Sequence, residues 1–389
     1  MRTLPIFFAF FLMGLADAMG PNSDKVKAEP AYQLNNVTST LLTFSVFIAF
    51  ALCSVPGGLL AARIGKKKLL LLGLGINAAA LATPSLTLPS FPVLLACIFA
   101  LGVGTTFLQV AGNPIMRDVS AEGQYSRNLA YAQGVKGVGS TASTFLVTAI
   151  AAIPLLKPMT WRAAFPLFCV LMILAFISVA FLKVQEAKVD EPPGIGSSLG
   201  LLGQPVFLLA VVGIFLYVGG EASMGRFLKP TLQGFGFEEQ TANLLGPTLF
   251  FGLLGLGRIL GGAVLSLMTP RTCFRLSALL GLVAGLALMA GNKPLSFVGI
   301  VAAGLGFANI WPMLFSITVE QRPQCANELS GLMCMAISGG ALVPLLMGWL
   351  VDKNLGSLAF AVPAACFAYL FALSLMGGKK PAGPPPQQT

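Results

Sequence analysis

Apolar residues fill this 389-residue chain in long blocks separated by short polar turns. The blocks lie near 4–22, 38–62, 69–88, 91–115, 129–152, 163–183, 205–228, 241–267, 273–291, 295–319, 329–351 and 357–377. Each has roughly the 20 residues that carry a helix across a ~30 Å hydrocarbon core. The pattern predicts an all-α polytopic membrane protein with 12 transmembrane helices. Composition points the same way. With 56% hydrophobic residues, 10% charged residues and a mean hydropathy of +0.84, too little polar surface exists to coat a soluble globule.

The longest inner turn, KVQEAKVDEPPGIGSSLGLLGQP, has the charge, Pro, Gly and Ser content of a linker and falls near the chain midpoint. It predicts an N-terminal six-helix bundle at 1–183, a cytoplasmic linker at 184–204, a C-terminal six-helix bundle at 205–378 and a disordered tail at 379–389. With the N-terminus inside, Arg63, Lys66, Lys67, Lys68, Arg117, Arg127, Arg271, Arg275 and Arg322 all fall on the inner side, in accord with the positive-inside rule. Both termini are then cytoplasmic, in a multi-pass plasma-membrane protein; in a bacterium this is the inner membrane. The net charge of +10 reports topology and attraction to anionic inner-leaflet lipid, not nucleic acid. Arg2, the run PIFFAFFLMGL and Ala16-Asp17-Ala18 imitate a cleaved secretory signal. Removing them would leave eleven spans and turn the basic RIGKKK loop outward, so the segment is read as the first transmembrane helix.

Two short stretches look like copies: FLMGLADAMG, carrying Asp17, and FLYVGGEASMG, carrying Glu221. The two acids stand about half a chain apart (221 − 17 = 204). An acid inside a bilayer costs roughly 2.5–3.5 kcal/mol on insertion scales and marks a functional site by default. Further echoes keep the same order: Asn113-Pro114 in the fourth span and Trp311-Pro312 in the tenth, Lys136-Gly137 in the fifth and Ser338-Gly339 in the eleventh. Two related halves enclosing a site near the midplane are a transporter architecture.

Enzyme chemistry is poorly supplied. There is no histidine, which removes the commonest general base and zinc ligand, and no nucleophile stands with a base. The 7 cysteines are scattered through apolar runs, so neither a disulfide framework nor a metal site is expected. The sequence predicts no cofactor. A sensor that binds a ligand without moving it is the other non-transport alternative.

The segments LGGAVLSLMTP and GGLLAARIGKK resemble the inner-loop signature of the major facilitator superfamily, with Ala62 at the place of the usual acid. FLYVGGEASMGRFL, GLGFANIWPMLFS and GLMCMAISGGALVPLLMGWLVDK resemble the seventh, tenth and eleventh helices of its fucose, galactose and glucose proton symporters. In the first half, Asp17-Ala18-Met19-Gly20-Pro21, LQVAGNP and Asn128-Leu129-Ala130 are similar to that family's Asn-Asp-Ile-Leu-x-Pro, Leu-Glu-Thr-Ala-Ala-Asn-Pro and Asn-Leu-Ala-Gln regions. The resemblance covers nearly the whole chain. It implies the major facilitator fold of two six-helix halves and a small hydrophilic substrate. At the family's fourth-helix Glu, used there in proton coupling, this chain has Gln109, and the family's Gln and Asn of helix five appear as Tyr131 and Gly134.

These features give a secondary active transporter: proton-coupled uptake of a monosaccharide or related polyol by alternating access, working as a monomer in lipid. Asp17 is the expected proton-coupling acid, and Lys136, set among small residues, its expected neighbour; two such groups would titrate as a unit. Polar forks and an aromatic face suit a sugar, and Gln109, Asn113, Tyr131, Gln133, Asn309 and Trp311 fit that inventory. Glu221 with Arg226 and Arg258 reads as a gating or structural ion pair. The alternative within transport is a small organic anion, such as a sugar acid or carboxylate, bound through Lys136.

Overall fold

The computed structural model describes residues 3–16, 25–184, 186, 193–353 and 355–376. Twelve long helices organise them: α1 (Leu4–Ala16), α2 (Asn36–Ile64), α3 (Lys66–Leu86), α4 (Phe91–Val119), α5 (Tyr125–Ala151), α6 (Phe165–Ala180), α7 (Pro205–Gly234), α8 (Glu239–Val264), α9 (Pro270–Met289), α10 (Lys293–Gln321), α11 (Pro323–Asp352) and α12 (Gly356–Leu375). No strand occurs among the described residues. Ten of the helices, α6 counted with the 3-10 turn Lys157–Arg162 that leads into it, are long and apolar enough to cross a membrane. The other two are α1, described only to Ala16, and α5, whose apolar sequence is interrupted by Gln133, Lys136, Ser140, Thr141 and Ser143. That polarity is the first sign that α5 faces something other than lipid. The short linker helix Ile195–Gly200 lies within the segment read as a loop. The expected disordered tail, 379–389, falls outside the described residues.

Local chemistry starts and stops these helices. Asn35 caps α2 reciprocally: its Oδ1 accepts from the Thr38 N–H at 2.8 Å, and Thr38 Oγ1 accepts from the Asn35 N–H at 3.0 Å. Prolines stand in the first turns of α4, α6, α7, α9 and α10, where a missing N–H costs no helical bond. Between α2 and α3 the chain turns on Gly65, whose φ of 92° suits glycine. The two orphan N–H groups that follow, Lys66 and Lys67, donate to the Glu186 carboxylate at 2.6 and 2.8 Å. A linker acid therefore caps α3, where the helix dipole favours negative charge. Lys66 Nζ reaches Asp118 Oδ2 at 2.5 Å, fastening the same turn to the end of α4. At the opposite end of the bundle Tyr32 donates to the Pro89 carbonyl at 2.8 Å, and Trp161 Nε1 donates to Glu29 at 3.1 Å. Burial, then Glu29, push the Tyr32 phenol up to about 12, so it stays a donor at neutral pH.

Packing repeats between the halves. In the first, α1 packs on α5 and α6, α2 on α4, and α3 on α4 and α6; in the second, α7 packs on α11 and α12, α8 on α10, and α9 on α10 and α12. The repeat reaches single residues. A Cβ on Gly139 of α5 would collide with the Phe11 carbonyl oxygen, and one on Gly339 of α11 with the Phe215 carbonyl oxygen. Phe11 and Phe215 differ by 204 (215 − 11), the spacing of the two acids, while the glycines differ by 200 (339 − 139). The equivalent of Gly139 is therefore Gly339, and Lys136 corresponds to Ala336. The pairing of Lys136 with Ser338 drawn from sequence is off by two residues, because glycines at several nearby positions make the register ambiguous without the carbonyl contact.

Across the halves, α2 packs on α11 and α5 on α8. The approach is closest toward the end that carries the basic turns: a Cβ on Gly58 would lie 2.6 Å from the Asn327 carbonyl oxygen, and one on Gly331 2.8 Å from that of Ser54. It is Ala326–Met335 of α11 that meets α2 and α4, and Ile310–Gln321 of α10 that meets α5; the parts of α10 and α11 nearer the far end contribute little. The halves are thus closed at the basic end and part toward the far end.

An Ala methyl at Gly139 or Gly339 has only backbone to push against, so Gly139→Ala and Gly339→Ala should each cost about 1–3 kcal/mol. Gly252→Ala meets open space and should be neutral. Thermal unfolding in detergent checks this, with a lowered Tm expected for the first two variants alone.

Candidate functional site at the seam between the halves

Irregular backbone interrupts three helices of the second half. The helical path of α10 is interrupted at Ala308–Asn309, α11 tightens into a 3-10 turn at Ala336–Ser338, and α8 opens into a π turn at Leu244–Thr248 around Gly246-Pro247. Within a bilayer such breaks are tolerated where protein or an aqueous cavity satisfies the freed groups.

Asn113 of α4 is the centre of a buried polar cluster. Gln133 Nε2 donates to its Oδ1 at 3.2 Å, and Tyr125 donates its hydroxyl proton to its backbone carbonyl at 3.1 Å. Its own Nδ2 points across the seam to Cys334 Sγ at 4.0 Å. Two more hydrogen bonds cross nearby: Ser330 to the Val110 carbonyl at 2.8 Å and Ser126 to Ser316 at 2.9 Å. Lys136, half-buried on α5, lies within electrostatic range of Cys334, and its carbonyl packs against Gly14 of α1. Gln109, one helical turn before Asn113, is buried with no partner for Oε1 among the described residues.

The other sequence-derived candidates are spread around this centre. Tyr131 packs its ring on Gly262 of α8. Asn309 uses Nδ2 to bind the Gly257 carbonyl at 3.0 Å, which ties the α10 break to α8. Trp311 is buried beside Phe315, with ring centroids 5.9 Å apart and no partner for Nε1 among the described residues. Unpaired buried donors and acceptors are costly, which makes the positions on Gln109 and Trp311 suited to a ligand rich in hydroxyls, whereas Asn309 Oδ1 packs on Gly261 of α8. Asp17 lies outside the described residues. Gly14, three residues before it, is the α1 residue that meets Lys136.

On the second half, Arg258 Nη2 donates to both carboxylate oxygens of Glu221, at 3.3 and 3.1 Å, and to the Tyr217 hydroxyl at 3.1 Å. Tyr217 in turn donates to Glu221 Oε2. Arg226 does not join them: it is exposed, with its guanidinium 5.8 Å from the Phe227 ring centroid. Tyr217 escaped the sequence reading although it stands one helical turn before Glu221, a spacing that puts both on one face. Tyr125, Ser126, Ser316, Ser330 and Cys334 also escaped it, because small hydroxyls and a thiol in apolar helices carry no signal until their neighbours are known.

Comparison with known proteins resolves what kind of scaffold this is. The profile of the Major Facilitator Superfamily matches residues 6–344. The chain belongs to the major facilitator superfamily. Among its relatives in that superfamily, the glucose/galactose transporter of Brucella abortus is 28% identical over 97% of this chain and 93% of its own length. The L-fucose-proton symporter of Escherichia coli is 22% identical over 88% and 85%. Solved structures agree in fold. FucP in the outward conformation superposes with a TM-score of 0.84 at 18% identity, covering 97% of this chain and 98% of FucP, and the proton:xylose symporter XylE with 0.75 at 13%, covering 97% and 95%. Superfamily membership places the chain with membrane transporters rather than enzymes, and its fold as two six-helix halves.

If the two halves separate at the basic end during the superfamily's transport cycle, the Ser126–Ser316 contact must break. Oxidative cross-linking of a Ser126→Cys/Ser316→Cys variant, with the native cysteines replaced, should abolish transport, and a reductant should restore it. Full transport by the cross-linked protein would show that this contact stays closed throughout.

Proposed function

We propose that this protein is a secondary active transporter that takes up a monosaccharide or related polyol, driven by protons, by alternating access between its halves. The carrying observation is the Asn113 cluster: buried polar groups on α4 and α5 meet α11 at the seam, where hydrogen bonds between the halves can be exchanged for hydrogen bonds to a substrate. Relatives named for glucose, galactose and L-fucose, two of them from Brucella abortus and Escherichia coli, support a sugar and a bacterial membrane. The proton is supported by relatives named as proton symporters.

Asp17 is the coupling acid in this proposal, with Lys136 as its electrostatic neighbour, and Gln109, Asn113, Tyr131, Gln133, Asn309 and Trp311 bind substrate. The contact of Gly14 with the Lys136 carbonyl supports the first pairing, since it brings the α1 segment preceding Asp17 to α5 at that level. One proton moving down 100 mV supplies about 2.3 kcal/mol, and each pH unit about 1.4 more, together enough for several hundred-fold accumulation. A single titrating acid is energetically sufficient. The bundles are 1–183 and 205–378 about the cytoplasmic linker 184–204, both termini are cytoplasmic in the inner membrane, and the protein works as a monomer in lipid without nucleic acid. Support comes from the Glu186 cap, which holds the linker on the basic side, and from the positive-inside asymmetry.

Proteoliposome uptake of a panel of sugars, polyols and sugar acids, with and without an imposed pH gradient, tests this directly. Concentrative uptake of a neutral hexose should require the gradient, and Asp17→Asn should abolish accumulation while sparing exchange. Undiminished accumulation by the variant would overturn the coupling assignment. Uptake confined to sugar acids and lost in Lys136→Gln would favour the anion carrier.

A further inference from the structure

The Glu221–Arg258–Tyr217 group is not used by the site above, and its position is informative. It joins α7 to α8, and Arg258 also faces the other half: a Cβ built on Gly137 of α5 would lie 3.9 Å from Arg258 Cδ. Gly137 follows Lys136, so the charged group of the second half stands beside the polar face of α5. Neither charge is sealed in. The Glu221 and Arg258 side chains retain 21% and 13% of their exposure, whereas Asn113 has none.

Packing alone gives this trio little reason to exist. Buried ion pairs are often no more stabilising than apolar residues of the same shape, because desolvation offsets their attraction. Within a bundle embedded in lipid that desolvation is not relieved from outside. The hydrogen bonds are also unevenly shared. Glu221 Oε2 accepts from both Tyr217 and Arg258, whereas among the described residues Oε1 accepts one longer 3.3 Å bond, from Arg258, out of about two lone-pair sites. Both oxygens are therefore held, but Oε1 has one donor where Oε2 has two, which leaves it a lone-pair site among the described partners, and the side chain is partly exposed.

We propose that Glu221 is a substrate-binding residue on the second half: its carboxylate accepts a hydrogen bond from one hydroxyl of the transported sugar, while Arg258 and Tyr217 are positioning residues that fix the carboxylate. This rests on the sugar-transport reading above and adds to it a charged hydroxyl subsite on the second half, beside α5 at Gly137. A sugar that also binds polar groups of the first half is then tied to both halves, and substrate biases how they close.

The test is counterflow in proteoliposomes with a hexose and its series of monodeoxy analogues, comparing wild type with Glu221→Gln and Tyr217→Phe. In wild type, one deoxy analogue should raise the half-saturation concentration about ten- to hundredfold, as expected for a lost hydrogen bond to a charged group. In Glu221→Gln the parent sugar should weaken by a similar factor and that one analogue should suffer no further loss. Tyr217→Phe should show the same pattern at smaller size. Should Glu221→Gln fail to accumulate in the membrane, Glu221→Asp, which keeps the charge but shortens the reach, is measured instead, with the same loss of discrimination expected. If the variants keep the wild-type half-saturation and discriminate against every analogue as wild type does, the trio is a packing feature and the proposal is overturned. Failure of wild type to exchange any sugar would instead overturn the transport reading itself.

Discussion

Within a bilayer a polar group must find its partner inside the protein, because lipid offers none. That constraint arranges this molecule. Amides, charges and hydroxyls that would be costly against hydrocarbon gather on faces of α4, α5, α8, α10 and α11 that meet at the seam, while exposed Leu, Ile, Val and Phe cover the outside. The groups best suited to hold a hydrophilic solute are thereby the ones at the plane where the two halves must part.

Stability and movement are divided between different contacts. Within each half, glycines bring helices to backbone contact, as Gly139 does against Phe11 and Gly339 against Phe215, and such interfaces admit no intermediate spacing. Between the halves Gly58 and Gly331 also approach backbone, but the polar links there are light: two serines, a serine on a carbonyl, and an amide near a thiol. Each is worth about 1 kcal/mol net and is replaceable by water or a sugar hydroxyl. Rigid halves joined by exchangeable bonds can rock as bodies. Glu186 and the Lys66–Asp118 pair hold the α2–α3 turn within the first half.

Much of this was legible in the sequence. Twelve apolar runs gave the helices because length and hydropathy report membrane crossing directly, and the 204-residue spacing of Asp17 and Glu221 gave the duplication because Phe11 and Phe215 share it. The repeat register at Lys136 was not legible, since only the glycine-to-carbonyl contact distinguishes Gly137 from Gly139. Nor was the use of Asn309, whose amide binds a backbone carbonyl that exists as an acceptor only where α8 and α10 touch. Tyr217 shows the intermediate case: the spacing to Glu221 was visible, but its meaning depends on Arg258 arriving from another helix.

One seam, closed here at the basic end, opens there as it closes at the far end. Pulsed electron spin resonance on two pairs of spin labels measures this, one pair at Lys68 and Arg275 on the basic side and one at Lys157 and Lys293 on the far side, all exposed positions. With substrate and a proton gradient, the basic-side distance should lengthen in the same population in which the far-side distance shortens. Basic-side distances that stay fixed while transport proceeds would contradict the account.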